Sequence, residues 1–456
     1  MSARFPAAKN HMVEFPINYS GQVEMKAHLA DLQIFYTANP PIPVKKNMII
    51  AKRWNNFTAA PHRVMFFGGA LQTIAVMVWW LIELATRYGL AGHPLVWSIA
   101  PGAAHAYLMI YGLFPFFMFG FLMTTYPRWM NGKEIPAQRY VPAFVLLMLG
   151  AIASYVGLFI GNNILPAAIS ITLLGWGVAL YALLRVLLDS PPSGKRNPQI
   201  IFVALSLGWC GLAAFLIWLL SDNTLWLRFA TQAGLWLFLL PVFASVTHRM
   251  IPFFTSSALP HLHVDRPDWP WWVALASSVA HGLLQLADAP AWSWLCDTPL
   301  AVAAFYLTYA WRSRHTLHIP LLGVLHIGFA WLGIAMLLYS VQSFALFIGS
   351  DTGLIWGLAP LHALTIGCFA TILIGMATRV TLGHSGLPMK VDMPIKLMFA
   401  GLQLAALLRV LADMLPMQEG HWLYLAAAII WLACFSPWLL RYLPVYWRAR
   451  ADGRPG

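Results

Sequence analysis

The sequence predicts an all-α fold, a polytopic membrane helix bundle of about twelve transmembrane helices with N- and C-termini cytoplasmic. Composition, the spacing of apolar runs and the placement of basic residues each point there. Of 456 residues, 60% are hydrophobic and only 10% charged, and the mean hydropathy is +0.67. Soluble domains carry about 25% charged residues, so this much apolar surface requires lipid. A net charge of +12 would suggest nucleic acid in a soluble protein, but here the basic residues lie in short loops between apolar runs, where they act as topology signals. The four cysteines, Cys210, Cys296, Cys368 and Cys434, sit in or beside apolar segments without C-x-x-C spacing. They read as small buried residues, with Cys368 left open, and support neither a disulfide framework nor a zinc ribbon. Without C-x-x-C-H, any haem is held non-covalently.

Residues 1–60 are polar and proline-punctuated, and read as a disordered cytoplasmic tail with no secretion signal. Met48 precedes a basic anchor (Lys52, Arg53, His62, Arg63) and reads as the true start. Residues 61–445 form the twelve-span membrane domain, and 446–456 a basic cytoplasmic tail. Apolar runs place spans at 64–86, 104–126, 140–162, 164–188, 199–220, 225–247, 269–288, 292–311, 318–344, 355–380, 394–414 and 421–443. Gly161-Asn162-Asn163 and residues 289–291 are short enough to make tight antiparallel hairpins. With the N-terminus inside, all of the 28 basic residues except Arg87, Arg228 and Arg409 fall on the cytoplasmic side. Trp97, Trp129, Trp269, Trp292, Trp356 and Trp422 fall at span ends, as interfacial belts require.

Histidine carries the chemical signal, because an imidazole inside a span must be hydrogen-bonded or ligated. The topology puts His105, His281 and His362 in the outer half and His62, His248, His326 and His384 in the inner half. Two groups at different depths suit two centres, since neutral imidazole binds haem iron and copper and a thioether suits Cu(I). On the second span His105, Met109 and Gly112 share a helical face, open either to a metal or macrocycle or to plain helix packing. The tenth span runs from His362 through Gly367 and Gly375 to Arg379 and His384. Arg379 suits a haem propionate, and equally a lipid headgroup. The sixth span reaches His248-Arg249, where Pro252 is expected to stop the helix. His261 and His263 in the next loop make a weak surface clip. The acidic residues noted within the bilayer are Glu83 and Asp413, the latter placed to pair with Arg409. The sequence has no Walker A, G-x-G-x-x-G, H-E-x-x-H or G-x-S-x-G motif, so nucleotide, zincin and serine-hydrolase chemistry have no foothold.

Three stretches resemble the NnrS family of bacterial membrane proteins. They are His362-Ala-Leu-Thr with Met376-Ala-Thr-Arg379-Val-Thr-Leu-Gly383-His384-Ser-Gly386; Arg249-Met-Ile-Pro252-Phe-Phe-Thr255; and His105-Ala-Tyr-Leu-Met109-Ile-Tyr-Gly112 with Gly120-Phe-Leu-Met-Thr124. The resemblance spans roughly Pro61 to Leu443. It implies a twelve-span inner-membrane protein containing haem b and copper that protects against nitric oxide and nitrosative stress in denitrification-linked metabolism. By that resemblance His105, His362, Arg379, His384 and Arg249 bind cofactor. The metal candidates are His105, Met109, His281, His326, His362 and His248. Two positions depart from the family pattern: Tyr107-Leu108 replaces a histidine and glutamate, and His248 replaces a glycine. Nitric oxide or a dinitrosyl iron species is the implied ligand, beside membrane lipid, with no role for nucleic acid. The rival readings are a quinol-linked oxidoreductase acting on nitric oxide and a transporter of haem, copper or a nitrosylated metal complex.

Overall fold

The computed structural model describes residues 46–161, 163–349, 355–415 and 417–453. Residues 1–45, the greater part of the expected tail, lie outside them, as does Asn162 of the first tight turn. Among the described residues the protein is helical throughout, with no strand. Helix α1 (Lys46–Phe57) falls inside the stretch expected to be a tail.

The long helices are α2 (Pro61–Arg87), α3 (Pro101–Trp129), α4 (Ala137–Ile160), α5 (Ile164–Asp189), α6 (Arg196–Ser221), α7 (Thr224–Ala258), α8 (Trp269–Leu286), α9 (Trp294–Ala310), α10 (Pro320–Phe347), α11 (Ala359–His384), α12 (Met393–Met414) and α13 (Met417–Tyr442). Ten of them are long and apolar enough to cross a membrane. The two that fall short, α8 and α9, are 18 and 17 residues long. At 1.5 Å per residue they reach about 26 Å, somewhat less than the ~30 Å hydrocarbon layer. Their hydropathy is diluted by His281, Gln285 and Asp297, which meet across the α8–α9 hairpin.

Successive helices run antiparallel, and α13 packs back on α2 to close the bundle. We call the end where α11 starts, near His362, the upper end, and the end where it stops, at His384, the lower end. Burial separates centre from rim. In α3 and α11, 89% and 78% of the apolar window is buried, against 39–44% in α4, α5, α6, α12 and α13. The lipid-facing surface accordingly carries Leu149, Leu174, Val203 and Leu220. Cys210, expected to be buried, is exposed there; Cys296, Cys368 and Cys434 are buried, and all four are free thiols.

Each of α3, α7 and α11 widens into a π-helical segment, at Leu108–Leu113, Ala233–Leu239 and Ala363–Ala370. In α3 and α7 the cause is a proline just beyond the segment, Pro115 or Pro241, which has no N–H to close the preceding turn. In α11 a side chain does the equivalent work. Thr371 Oγ1 donates to the Ile366 carbonyl at 3.3 Å and accepts from Gln403 at 3.0 Å, while Trp331 Nε1 donates to Gln403 at 2.8 Å. Just beyond or within these segments the three helices contribute Phe114, Phe243 and Phe369, whose ring centroids lie 5.8, 6.1 and 4.4 Å apart.

Several expectations change. Pro252 does not stop α7, which continues to Ala258; membrane helices tolerate a proline in their interior. Trp97 is not a belt residue. It is buried, with Nε1 donating at 2.5 Å to Glu83, which also takes Arg87 at 2.7 Å. The glycines of the candidate faces meet side chains, not open space. A Cβ on Gly112 would lie 3.0 Å from Gln72 Nε2, one on Gly375 2.8 Å from Leu325, and one on Gly367 2.5 Å from Trp331. Gly367→Ala therefore forces Trp331 off its ring position. The expected result is a loss of about 1–3 kcal/mol, read as a lower unfolding midpoint in detergent.

Candidate functional site

At the lower end, α3, α7 and α11 diverge around a cavity of about 970 Å³. Five arginines line it, Arg128, Arg249, Arg266, Arg379 and Arg450, together with His384. Only Arg450 has an ion-pair partner among the described residues, Asp452 at 2.6 Å. Two of the others rest on aromatic faces: Arg249 lies 4.7 Å from the Trp129 ring centroid and Arg379 4.0 Å from that of Phe254. This leaves their N–H edges available to an anion. His384 ends α11, and the chain turns at Gly386, whose φ of +67° is the left-handed region that glycine occupies without strain. The His384 ring packs against His62 with centroids 4.7 Å apart. Above the cavity, and sharing Phe121 with it, a narrow apolar pocket of about 50 Å³ runs between Phe117, Val246 and Met376 up to Phe243 of the phenylalanine cluster.

At the upper end His105 and His362 lie near the starts of α3 and α11, and Arg409 of α12 lies at the same end. His105 stacks on Trp80 at 4.1 Å, and its Nδ1 is buried without a hydrogen-bond partner. His362 Nδ1 donates to the Leu358 carbonyl at 2.9 Å and lies 3.9 Å from Asp413. Asp413 is held by Arg409 at 2.7 Å and by Tyr424 Oη at 2.6 Å, so the expected Arg409–Asp413 pair is present. Met109 is half-buried in the π segment, which carries it out of simple α-helical register with His105. Tyr107 is buried, bonds Ser154 at 2.8 Å and stacks on Phe215; Leu108 is core.

The other candidates sit apart from these two places. His326 has both ring nitrogens engaged, Nε2 with Thr255 Oγ1 at 2.9 Å and Nδ1 with Ser313 Oγ at 2.7 Å. His248 Nε2 donates to the Pro267 carbonyl at 2.8 Å, and its ring stacks on Trp271. His263 pairs with Asp265 at 2.9 Å on the surface. His281 faces Asp297 and Cys296 across the α8–α9 hairpin, and their ligand atoms lie within 4.8 Å of one another. Asp297 was missed as a third intramembrane acid, although a carboxylate inside an apolar run is a signal in itself. Arg128, Arg266 and Arg450 were read as topology markers only, because a loop position does not reveal that three loops converge.

These features define a multi-pass helical membrane protein with a basic cavity at one end of its central helices and two histidines, His105 and His362, towards the other. The chain belongs to the NnrS family, whose model, described as NnrS protein, matches residues 56–450. No curated protein matches it.

Proposed function

We propose that this is a nitric-oxide-response protein of the bacterial inner membrane that binds b-type haem in the basic cavity and copper near His105 and His362 at the upper end. Residues 61–445 form twelve spans, α8 and α9 included, and both termini are cytoplasmic. The lower end then faces the cytoplasm, in keeping with Lys133, Arg139, Lys195 and Arg196 in its loops.

The cavity carries this reading. Its volume of about 970 Å³ suits a large flat ligand, and wall arginines with no ion-pair partner among the described residues suit a porphyrin dicarboxylate. Arg249 and Arg379 bind the propionates, His384 offers the imidazole, and the apolar pocket by Phe121 keeps water from the ring edge. Haem there supplies an iron that binds nitric oxide. At the upper end, the orphaned Nδ1 of His105 and the partner-rich surroundings of His362 suit a borderline-soft ion.

A second reading, a carrier of haem or of a nitrosylated metal complex, is favoured by the apolar pocket that leads from the cavity to the phenylalanine cluster.

Optical and EPR spectra of the detergent-purified protein, with metal analysis, test the proposal. A Soret band that shifts on adding nitric oxide, with copper in the same preparation, is the expected result. Absence of both Soret absorption and copper removes it.

A further inference from the structure

A third centre lies in the upper half of the α8–α9 hairpin, away from the cavity and from His105 and His362. His281, Cys296 and Asp297 are 1%, 8% and 0% exposed. Nδ1–H of His281 donates to Asp297 Oδ1 at 2.7 Å, and the Gln285 amide donates to His281 Nε2 at 3.3 Å, which fixes the tautomer. The Cys296 thiol donates to the Ser293 carbonyl at 3.0 Å, with its sulfur 3.7 Å from Asp297 Oδ1. Trp236 stacks on the imidazole at 3.6 Å and Tyr339 meets its edge, so the ring is held in orientation from both sides.

A histidine–aspartate hydrogen bond explains part of this arrangement and leaves one atom unexplained. Asp297 Oδ2 is buried and has no hydrogen-bond partner. A carboxylate oxygen in that condition is costly unless something meets it. It lies in a cluster that already offers one nitrogen, one sulfur and a second oxygen within 4.8 Å.

We propose that His281, Cys296 and Asp297 form a binding site for a divalent cation of the zinc class. Charge selects the valence: one thiolate and one carboxylate neutralise a dication, and a neutral site is the least costly to bury away from water. A monovalent soft ion would leave the cluster negative, and a hard dication would leave the sulfur unused. Mixed sulfur, nitrogen and oxygen donors are zinc's ordinary set, and three protein ligands leave a fourth position open. On binding, Cys296 loses its proton to solvent. The His281 proton moves from Nδ1 to Nε2, where a flipped Gln285 amide accepts it through oxygen, and Asp297 turns Oδ2 to the ion. Nδ1 and the ligating oxygen then stand about 3.3 Å apart, the edge of a tetrahedron with ~2.0 Å bonds.

This proposal stands apart from the haem reading, because its probe is zinc or cobalt alone. The full-length protein is purified in detergent, stripped with chelator, and re-equilibrated with Zn²⁺ and, separately, Co²⁺. The expected result is one tightly held zinc that Cys296→Ala and Asp297→Asn both lose, and a near-ultraviolet thiolate-to-cobalt band in the unmodified protein. Asp297→Asn keeps a hydrogen bond to His281, so it separates ligation from packing. The proposal is overturned if the unmodified protein binds Co²⁺ without a thiolate band, or if its zinc content equals that of Cys296→Ala. The unmodified protein's cobalt spectrum decides even if the variants do not fold.

Discussion

Replacing Arg249 and Arg379 together by alanine lowers haem affinity by at least about a hundredfold, because each charge-assisted hydrogen bond contributes about 1.5–3 kcal/mol. Both guanidiniums line the cavity, both lie over an aromatic ring, and neither has a carboxylate partner among the described residues. The loss is expected in binding, since no ion pair among the described residues breaks when they are removed. Titration of haem-free protein followed at the Soret band measures it. Lysine at both positions restores part of the affinity, because it keeps the charge and loses the bidentate fork. An unchanged dissociation constant in the double alanine variant would mean that the propionates sit elsewhere.

His281→Leu destabilises the protein by about 1–3 kcal/mol or more, the penalty for leaving a buried carboxylate without its hydrogen-bond donor. In metal-free protein the imidazole donates to the Asp297 carboxylate from outside α9, and both residues are almost fully buried. His281→Leu combined with Asp297→Leu recovers most of that loss, since two apolar side chains across the hairpin need no partner. Unfolding midpoints in detergent with chelator present give the three values. Equal midpoints for the single and double variants would show that the pair is not coupled.

The bundle was legible because apolar run length sets span position almost directly. Most predicted ends fall within about four residues of the helix ends, within the usual uncertainty of helix boundaries predicted from sequence. The exception is α7, which outruns its prediction because a membrane helix passes through Pro252. His105 and His362, and likewise Arg249 and Arg379, were legible only as sharing a depth, because depth is one coordinate and proximity needs three. Periodicity assumes 3.6 residues per turn, and the π segments of α3, α7 and α11 break that count where Met109 and Cys368 lie. The glycines were misread for a related reason: a bare helix face is the same in sequence whether a cofactor or Trp331 lies on it. His326 shows the limit for histidines. Its partners Thr255 and Ser313 come from elsewhere in the chain, and a hydroxyl partner leaves no mark on the sequence around the ring.

On the proposed function, the arginine-lined cavity holds the haem, and the space near His105 and His362 does not. An experimental density map of the haem-loaded protein tests it most directly. The expected result is a flat feature in the cavity, with carboxylates within hydrogen-bond distance of Arg249 and Arg379 and His384 beside it. Porphyrin density between His105 and His362, with solvent in the cavity, would contradict it.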